Sequence, residues 1–134
     1  MDSKESPVDV LVVANDEEAV LRAVSSTLEK AGFAVTGASS GSGALDRLRQ
    51  RRLHPELAVI DTTVPGIDLQ DFVHQLHQIS PSVRVLFLSE QSPSEAARNA
   101  RARWHGKLLF KPFRRSQLLG QVLTLMDEPM VLTA

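Results

Sequence analysis

The chain has 134 residues and no cysteine, which excludes disulfide frameworks, thiolate metal sites and cysteine nucleophiles. Hydrophobic residues make up 43% and charged residues 23%, as in an ordinary globular domain, and no apolar run approaches the roughly 18 residues of a membrane span. Residues 1–97 hold 14 acidic and 8 basic residues, whereas residues 98–134 hold 2 acidic and 7 basic ones, so a basic surface is expected in the C-terminal third.

The N-terminal residues 1–7 are polar and include acids, so they are predicted to be a disordered lead-in and not a secretory signal or transit peptide. A cytoplasmic location is therefore the default expectation. The apolar run from Val8 to Ala14 predicts the first strand. The acidic cluster at residues 16–18 suits the start of a helix, because carboxylates are stabilised by the positive end of the helix dipole.

Val20, Val24 and Leu28 recur at helical spacing and predict the first helix, with Gly32 as its stop signal. The second strand follows at residues 33–35. It leads into a segment of serine and glycine that is predicted to be a loop.

This loop spans residues 39–43, and the second helix that follows it ends before Pro55. Residues 57–60 predict the third strand and residues 69–79 the third helix. The fourth strand, at residues 83–88, is almost continuously apolar, which is typical of a strand buried on both faces of a parallel sheet.

The segment from Ser92 to Arg103 predicts the fourth helix, whose buried face is thin because it offers mainly alanine side chains. Such a poorly anchored helix is expected to move easily. Residues 107–110 predict the fifth strand, and the last helix is expected to run to about Met126.

Strand and helix therefore alternate five times without long linkers. This order predicts an α/β fold, in which a doubly wound five-stranded parallel sheet carries helices on both faces. One domain is expected over residues 8–126, with residues 127–134 as a C-terminal tail. In sheets of this kind the functional site lies at the carboxyl ends of the strands.

Polar side chains collect at this edge of the predicted sheet. They are Asn15 and Asp16 after the first strand, Asp61 after the third, Ser89 after the fourth and Lys111 after the fifth. Taken alone, Asp61 could be a metal ligand, a nucleophile, an acid or only a turn cap. Two carboxylates with carbonyl oxygens suit Mg²⁺, and a lysine beside them could hold phosphoryl oxygens, with Asp61 as the nucleophile.

The motifs follow one another in a recognisable order. An acidic residue follows the first strand, Asp61 begins an Asp-x-x-x-Pro-Gly turn, Ser89 follows the fourth strand and Lys111 begins Lys-Pro-Phe. Asp61 and Ser89 are 28 residues apart, and Ser89 and Lys111 are 22 apart. This pattern resembles the receiver domain of two-component response regulators across residues 8–126. The resemblance implies a flavodoxin-like sheet with strand order 2-1-3-4-5.

The resemblance also implies a role for each motif residue. Asp61 would be the phosphoacceptor, phosphorylated by a histidine kinase or a phosphotransfer protein. Mg²⁺ would be held by Asp16, Asp61 and the backbone carbonyl of Thr63, with Asn15 reaching it through water. Lys111 would pair with the phosphoryl group, and Ser89 would be the switch hydroxyl that moves toward it.

The same resemblance implies that the signal passes through the surface of the fourth helix, fifth strand and fifth helix. A downstream protein would bind there on the basic face, without direct contacts to nucleic acid or membrane. The residues of that face are Arg98, Arg101, Arg103, Trp104, Lys107, Arg114 and Arg115. A domain of this kind accepts a phosphoryl group and is not expected to be an enzyme that turns over a substrate.

Four positions depart from the family pattern. Asn15 replaces the first acid of the pair, so Mg²⁺ binding is expected to be weakened but not abolished. Leu108 replaces the switch aromatic, and Glu90 adds a carboxylate close to the phosphorylation site, where it could slow the reaction or repel a partner. Leu69 replaces a glycine, which the start of a helix tolerates because leucine is a good helix former.

Two alternatives to a phosphorylated receiver remain open. One is a pseudo-receiver that keeps the fold as a protein-interaction module without phosphorylation. The other is a small phosphatase with Asp61 as a transient nucleophile, although enzymes resembling the haloacid dehalogenase family have a second acid where Thr63 stands. The chain could be a single-domain regulator or a receiver cut from a longer protein such as a hybrid sensor kinase.

Two further features invite a functional interpretation. His74 and His77 are spaced to share a metal on the third helix, but no third ligand is visible, so exposed helix residues are the preferred interpretation. Trp104 beside the basic residues is interpreted either as an anchor for a partner or as a packing residue.

Overall fold

The computed structural model describes residues 7–15, 19–92, 94–104 and 106–127. Strands and helices alternate through these ranges as the sequence predicts. The strands are β1 (Asp9–Val13), β2 (Ala34–Ala38), β3 (Leu57–Asp61), β4 (Arg84–Ser89) and β5 (Lys107–Phe110). The helices are α1 (Val20–Lys30), α2 (Gly41–Arg51), α3 (Leu69–Ile79), α4 (Glu95–Arg103) and α5 (Arg115–Asp127).

The strands form one parallel sheet in the order β2-β1-β3-β4-β5. The doubly wound flavodoxin-like fold and its strand order are therefore confirmed. β2 and β5 are the edge strands. Because all strands run in the same direction, the loops after β1, β3, β4 and β5 open at one edge of the sheet, where the polar residues are expected to meet.

Apolar side chains cover both faces of the sheet. The first core cluster packs α2, α3 and α4 against one face and includes Phe72 and Phe87, both buried. The second core cluster packs α1 and α5 against the other face and includes Leu28 and Leu86. Burial on both faces accounts for the near-continuous apolar character of the central strands.

Several element boundaries differ from the sequence prediction by one to three residues, and two of the differences have a local cause. The predicted loop at residues 39–43 is wrong at its C-terminal end, because α2 begins at Gly41. Its first turn is stabilised by the Ser40 hydroxyl, which accepts a hydrogen bond from the Gly43 N–H at 3.1 Å. β2 begins at Ala34 because the Phe33 N–H still bonds to the Leu28 carbonyl at the end of α1.

The predicted thin face of α4 is confirmed. Its buried residues are Ala97 and Ala100, which offer little apolar area to the sheet. The helix nevertheless has a defined start, since the Ser94 hydroxyl accepts a hydrogen bond from the Ala97 N–H at 3.1 Å. A helix with a good cap and a small buried face can shift at low cost in apolar contact.

Most of the predicted lead-in and tail lie outside the described residues. Residues 1–6 of the predicted lead-in and residues 128–134 of the predicted tail lie outside them, as does the acidic cluster at residues 16–18. Asp127, expected in the tail, is the last residue of α5. The guanidinium of Arg84 donates to the carbonyls of Leu125 and Met126 in the last described turn of α5.

Gly106 is a position where the fold has no room for a side chain. A Cβ atom there would lie 2.8 Å from Phe87 Cε2 and 3.1 Å from the Val85 carbonyl oxygen. We expect Gly106→Ala to lower the free energy of unfolding by about 1–3 kcal/mol, because buried Phe87 and the backbone must move. Urea unfolding followed by circular dichroism measures this change.

Gly120 provides the matched control. It lies exposed in α5, and a Cβ atom there would meet nothing within 4 Å. Gly120→Ala is expected to raise the free energy of unfolding by about 0.5–1 kcal/mol, because alanine favours the helix. Equal stability of the two alanine variants would contradict the predicted clash at Gly106.

Candidate functional site

The loops after β3, β4 and β5 meet at one edge of the sheet. In the sheet register Asp61 pairs with Leu88, and Ser89 pairs with Phe110, so the three strands end side by side. The Asp61 side chain is 0% exposed and Ser89 is 1% exposed. The structure thus brings together Asp61, Ser89 and the start of the Lys111 loop, as the sequence predicts.

The carboxylate of Asp61 is held by two partners. Its Oδ2 atom accepts from the Lys111 Nζ at 2.9 Å, and its Oδ1 atom accepts from the Thr63 N–H at 2.9 Å and the Thr63 hydroxyl at 2.7 Å. The Lys111 ammonium also lies 3.3 Å from the Thr63 hydroxyl oxygen. The negative charge is therefore buried, paired with a cation and fixed in orientation.

Backbone hydrogen bonds join the loops that carry these residues. The Lys111 N–H donates to the Ser89 carbonyl at 2.8 Å, and the Thr62 N–H and hydroxyl donate to the Leu88 carbonyl at 3.0 and 3.2 Å. The Lys111–Pro112 peptide bond is cis. The hydrogen bonds to the Leu88 and Ser89 carbonyls attach the segments that carry Asp61 and Lys111 to the end of β4, which brings the two side chains together.

The Ser89 hydroxyl does not bond to Asp61 in this structure. It donates to the carbonyl of the following residue, Glu90, at 3.1 Å. Glu90 itself is exposed, so its carboxylate lies at the surface next to the site. Leu108 is half-buried and packs against the first core cluster. Leu69 is buried at the start of α3, which tolerates it.

The predicted metal ligands are only partly described. Asp16 lies outside the described residues. Val13 pairs with Ile60 in the sheet, so Asn15 follows β1 beside the loop that carries Asp61 and Thr63. Carboxylate, amide and carbonyl oxygens are hard donors of the kind that Mg²⁺ takes, so these residues fit the predicted ion. No group of three histidine, cysteine or acidic side chains among the described residues forms a metal site by itself.

The hydroxyl of Thr63 was missed by the sequence analysis, which assigned only its backbone carbonyl. The sequence spacing could have indicated this bond, because a threonine two residues after an aspartate in a tight turn lies within reach of that carboxylate. Its hydroxyl and N–H both bond to Asp61 Oδ1. Thr63 is therefore part of the site through its side chain.

The third and fourth helices meet at Trp104. His77 stacks on the indole with ring centroids 4.6 Å apart and planes 16° apart, and the Arg103 guanidinium lies 5.0 Å from the ring centroid. Trp104 is half-buried and packs against the first core cluster. The structure therefore favours a packing role for Trp104. His74 is exposed as predicted, whereas His77 is half-buried by this stack, so the prediction of an exposed residue is wrong for His77.

The basic face is exposed at the C-terminal half of the chain. Lys107 in this face is half-buried, whereas its arginine residues are exposed, namely Arg98, Arg101, Arg103, Arg114 and Arg115. These residues lie on α4, at the start of β5 and at the start of α5, the surface that the sequence analysis expects to signal. None of the helices in the described part of the chain has the length and apolarity of a membrane-spanning segment.

Known proteins share this fold. The Vibrio cholerae chemotaxis response regulator CheY4 superposes with a TM-score of 0.74 at 23% identity, covering 89% of this chain and 98% of that chain, a similarity that shows the fold. The receiver protein CpdR of Brucella abortus is 25% identical over 112 residues, covering 84% of this chain and 92% of its own length.

A second relative is longer than this chain. The probable transcriptional regulatory protein TcrX of Mycobacterium tuberculosis is 35% identical over 89 residues, which are 66% of this chain but 37% of TcrX. The chain thus spans about a third of that relative and most of CpdR. Residues 10–123 match the response regulator receiver domain family, and the chain therefore belongs to that family.

Proposed function

We propose that this domain accepts a phosphoryl group on Asp61 in a two-component phosphorelay. The buried pair of Asp61 and Lys111, with Oδ2 and Nζ 2.9 Å apart at the carboxyl ends of the strands, is the observation that carries the proposal. A carboxylate is a nucleophile for phosphoryl transfer, and an adjacent ammonium stabilises the charge on the transferred group.

The proposed reaction moves one phosphoryl group. An oxygen of Asp61 forms a bond to phosphorus while the bond from phosphorus to the donor's leaving atom breaks, and the leaving group keeps that electron pair. Oδ1 already accepts two hydrogen bonds from Thr63, whereas Oδ2 accepts one from Lys111, so Oδ2 keeps a lone pair for the attack. Lys111 then lies beside the phosphoryl oxygens, where its ammonium offsets their negative charge.

Mg²⁺ is the cofactor of this proposal. Asp16, Asp61 and the Thr63 carbonyl would hold it, with Asn15 reaching it through water. The ion supplies charge neutralisation for the phosphoryl oxygens. Thr63 has a second task, because its N–H and hydroxyl orient the carboxylate of Asp61 through Oδ1.

The proposal includes two partner proteins, one that supplies the phosphoryl group and one that responds to phosphorylation. A histidine kinase or a phosphotransfer protein supplies the phosphoryl group, and a downstream protein reads the change at α4, β5 and α5 in the cytoplasm. Movement of the Ser89 hydroxyl away from the Glu90 carbonyl and toward the phosphoryl group is the proposed link. The small apolar face of α4 lowers the cost of the change.

The experiment that tests this function is phosphorylation in vitro. Purified wild-type protein is incubated with Mg²⁺ and acetyl phosphate, and its intact mass is measured. We expect the protein to gain a single phosphoryl group. We expect no gain when Mg²⁺ is chelated before acetyl phosphate is added. A wild-type protein that stays unmodified after long incubation refutes phosphoacceptance and leaves the pseudo-receiver.

The pseudo-receiver is the second candidate function. The exposed Glu90 carboxylate beside the site and the Ser89 hydroxyl bonded to the Glu90 carbonyl favour it. In that function the fold binds its partner without a phosphoryl group. Partner binding would then be unchanged by acetyl phosphate, whereas a phosphorylated receiver binds differently before and after treatment.

Asn15 offers a test of the metal site. We expect Asn15→Asp to tighten Mg²⁺ binding by about tenfold, because it restores a negative charge beside the ion. The Mg²⁺ concentration that gives half-maximal phosphorylation by acetyl phosphate measures this change. Asn99→Asp adds the same charge on the exposed surface of α4 and is expected to leave that concentration unchanged. Equal effects of the two variants would contradict a metal site at Asn15.

A further inference from the structure

The strand β5 has a free edge. It pairs with β4 on one side, and no described strand pairs with its other side. The Lys111 N–H points toward β4, where it donates to the Ser89 carbonyl. Because successive residues of a strand direct their backbone groups to opposite sides, Leu108 and Phe110 direct theirs to the free edge. Outside the sheet ladder, no hydrogen bond between described residues involves the backbone of these two.

An exposed aromatic side chain lies at the end of this edge. Phe110 is 40% exposed, and with Leu123 it is one of the large apolar side chains that remain exposed in the described residues. Exposed apolar area beside unpaired backbone groups is what an added strand contacts, through main-chain hydrogen bonds and side-chain packing.

Basic residues precede and follow β5 in the chain. Arg101 and Arg103 end α4 directly before β5, and the Gly106 N–H bonds to the Arg101 carbonyl at 3.0 Å. Arg114 and Arg115 follow β5 at its other end and are exposed. From residue 96 to residue 126 the chain has no acidic residue. The potential along the edge is therefore positive at both ends.

The positive charge of the residues that flank β5 favours some binding partners over others. A second copy of the chain would bring the same basic residues to the same edge, and like charges oppose that pairing. A nucleic acid would meet the charge but has no peptide groups to pair with Leu108 and Phe110. An extended acidic peptide supplies both the negative charge and the backbone donors and acceptors.

We propose that the free edge of β5 binds an extended, acidic segment of the downstream partner by strand addition. Backbone groups of Leu108 and Phe110 pair with the segment, the Phe110 ring packs on one of its apolar side chains, and the flanking arginines bind its carboxylates. This inference rests on the downstream-partner part of the proposed function and adds the chemistry of that partner.

The test uses a fluorescent peptide that alternates glutamate and valine. Its binding to the full chain is measured by anisotropy, before and after treatment with acetyl phosphate. We expect binding that weakens as salt is added. A peptide N-methylated at alternate amides keeps the charge and side chains but loses donors, and we expect it to bind about tenfold more weakly. Equal binding of the two peptides, or no binding in either state, overturns the proposal.

Variants locate the peptide on the protein. Phe110→Ser, and the double change Arg101→Glu with Arg114→Glu, are each expected to weaken binding by about tenfold. Leu123→Ser removes an exposed apolar side chain on α5 and is expected to leave binding unchanged. An effect of Leu123→Ser equal to that of Phe110→Ser overturns the assignment, as does tighter binding of a single-stranded oligonucleotide than of the acidic peptide.

Phosphorylation is scored separately on the same preparations. A Phe110→Ser protein that still gains a phosphoryl group is folded, so its loss of peptide binding is attributable to the edge. Normal phosphorylation without peptide binding would refute strand addition at β5 and would still support the proposed function. Peptide binding without phosphorylation would refute the phosphoacceptor function and would still support the free edge of β5 as an interaction surface.

Discussion

Asp61→Asn is expected to abolish phosphorylation by acetyl phosphate, while the wild-type protein gains one phosphoryl group. An amide oxygen is a far weaker nucleophile than a carboxylate, and the substitution keeps the size of a side chain that is 0% exposed. The amide oxygen of the substituted side chain can still accept from the Thr63 N–H. Its amino group, however, meets the Lys111 ammonium, which is also a donor.

The matched control for Asp61→Asn is Asp46→Asn, which removes a carboxylate from the exposed surface of α2. We expect this variant to be phosphorylated to the same extent as the wild type. Intact mass spectrometry reports both results, and peptide mapping of the wild type locates the modification. A phosphoryl group on the Asp61→Asn protein would show that another residue is the acceptor.

Lys111→Met is expected to weaken both the reaction and the fold. Phosphorylation by acetyl phosphate should slow by about a hundredfold, since a fixed cation beside the transferred group is lost. The Asp61 carboxylate keeps only the bonds from Thr63. We expect the free energy of unfolding to fall by about 1–3 kcal/mol, less than for a fully buried pair, because the Lys111 side chain is 20% exposed.

A double-mutant cycle isolates the interaction free energy between Asp61 and Lys111 from their interactions with other residues. The protein with both Asp61→Asn and Lys111→Met is expected to be more stable in urea than Lys111→Met alone, because residue 61 no longer carries a buried charge that has lost its cation. Lys30→Met, on the exposed end of α1, controls for loss of a lysine and should change the unfolding free energy by at most about 0.5 kcal/mol. Equal stability of the single and double variants would contradict the ion pair.

The sequence predicts the order of elements well because the local patterns agree with the fold. Apolar runs of strand length alternate with helical periodicity, and the predicted fifth strand matches β5 at both ends. Boundaries are less certain where a cap decides them. Ser40 starts α2 within the predicted loop, because its hydroxyl bonds to the Gly43 N–H in a segment that also suits a turn.

The residues of the site can be predicted from the spacing of the motifs, but the hydrogen bonds among them cannot. Motif order is enough to bring Asp61 and Lys111 to one edge, since strand ends of a parallel sheet converge. The direction of a hydroxyl depends on the neighbouring backbone, so the bond from Ser89 to the Glu90 carbonyl could not be predicted. The same holds for the Thr63 hydroxyl and for the stack of His77 on Trp104, which joins two helices.

That stack gives the domain a built-in optical probe. The chain has one tryptophan, so its emission reports on the contact between His77 of α3 and the residue that follows α4. The emission of an indole depends on the groups packed against it, so separation of the two rings is expected to change it. Movement of α4 relative to α3 can therefore be followed in the unlabelled protein, in real time and at low concentration.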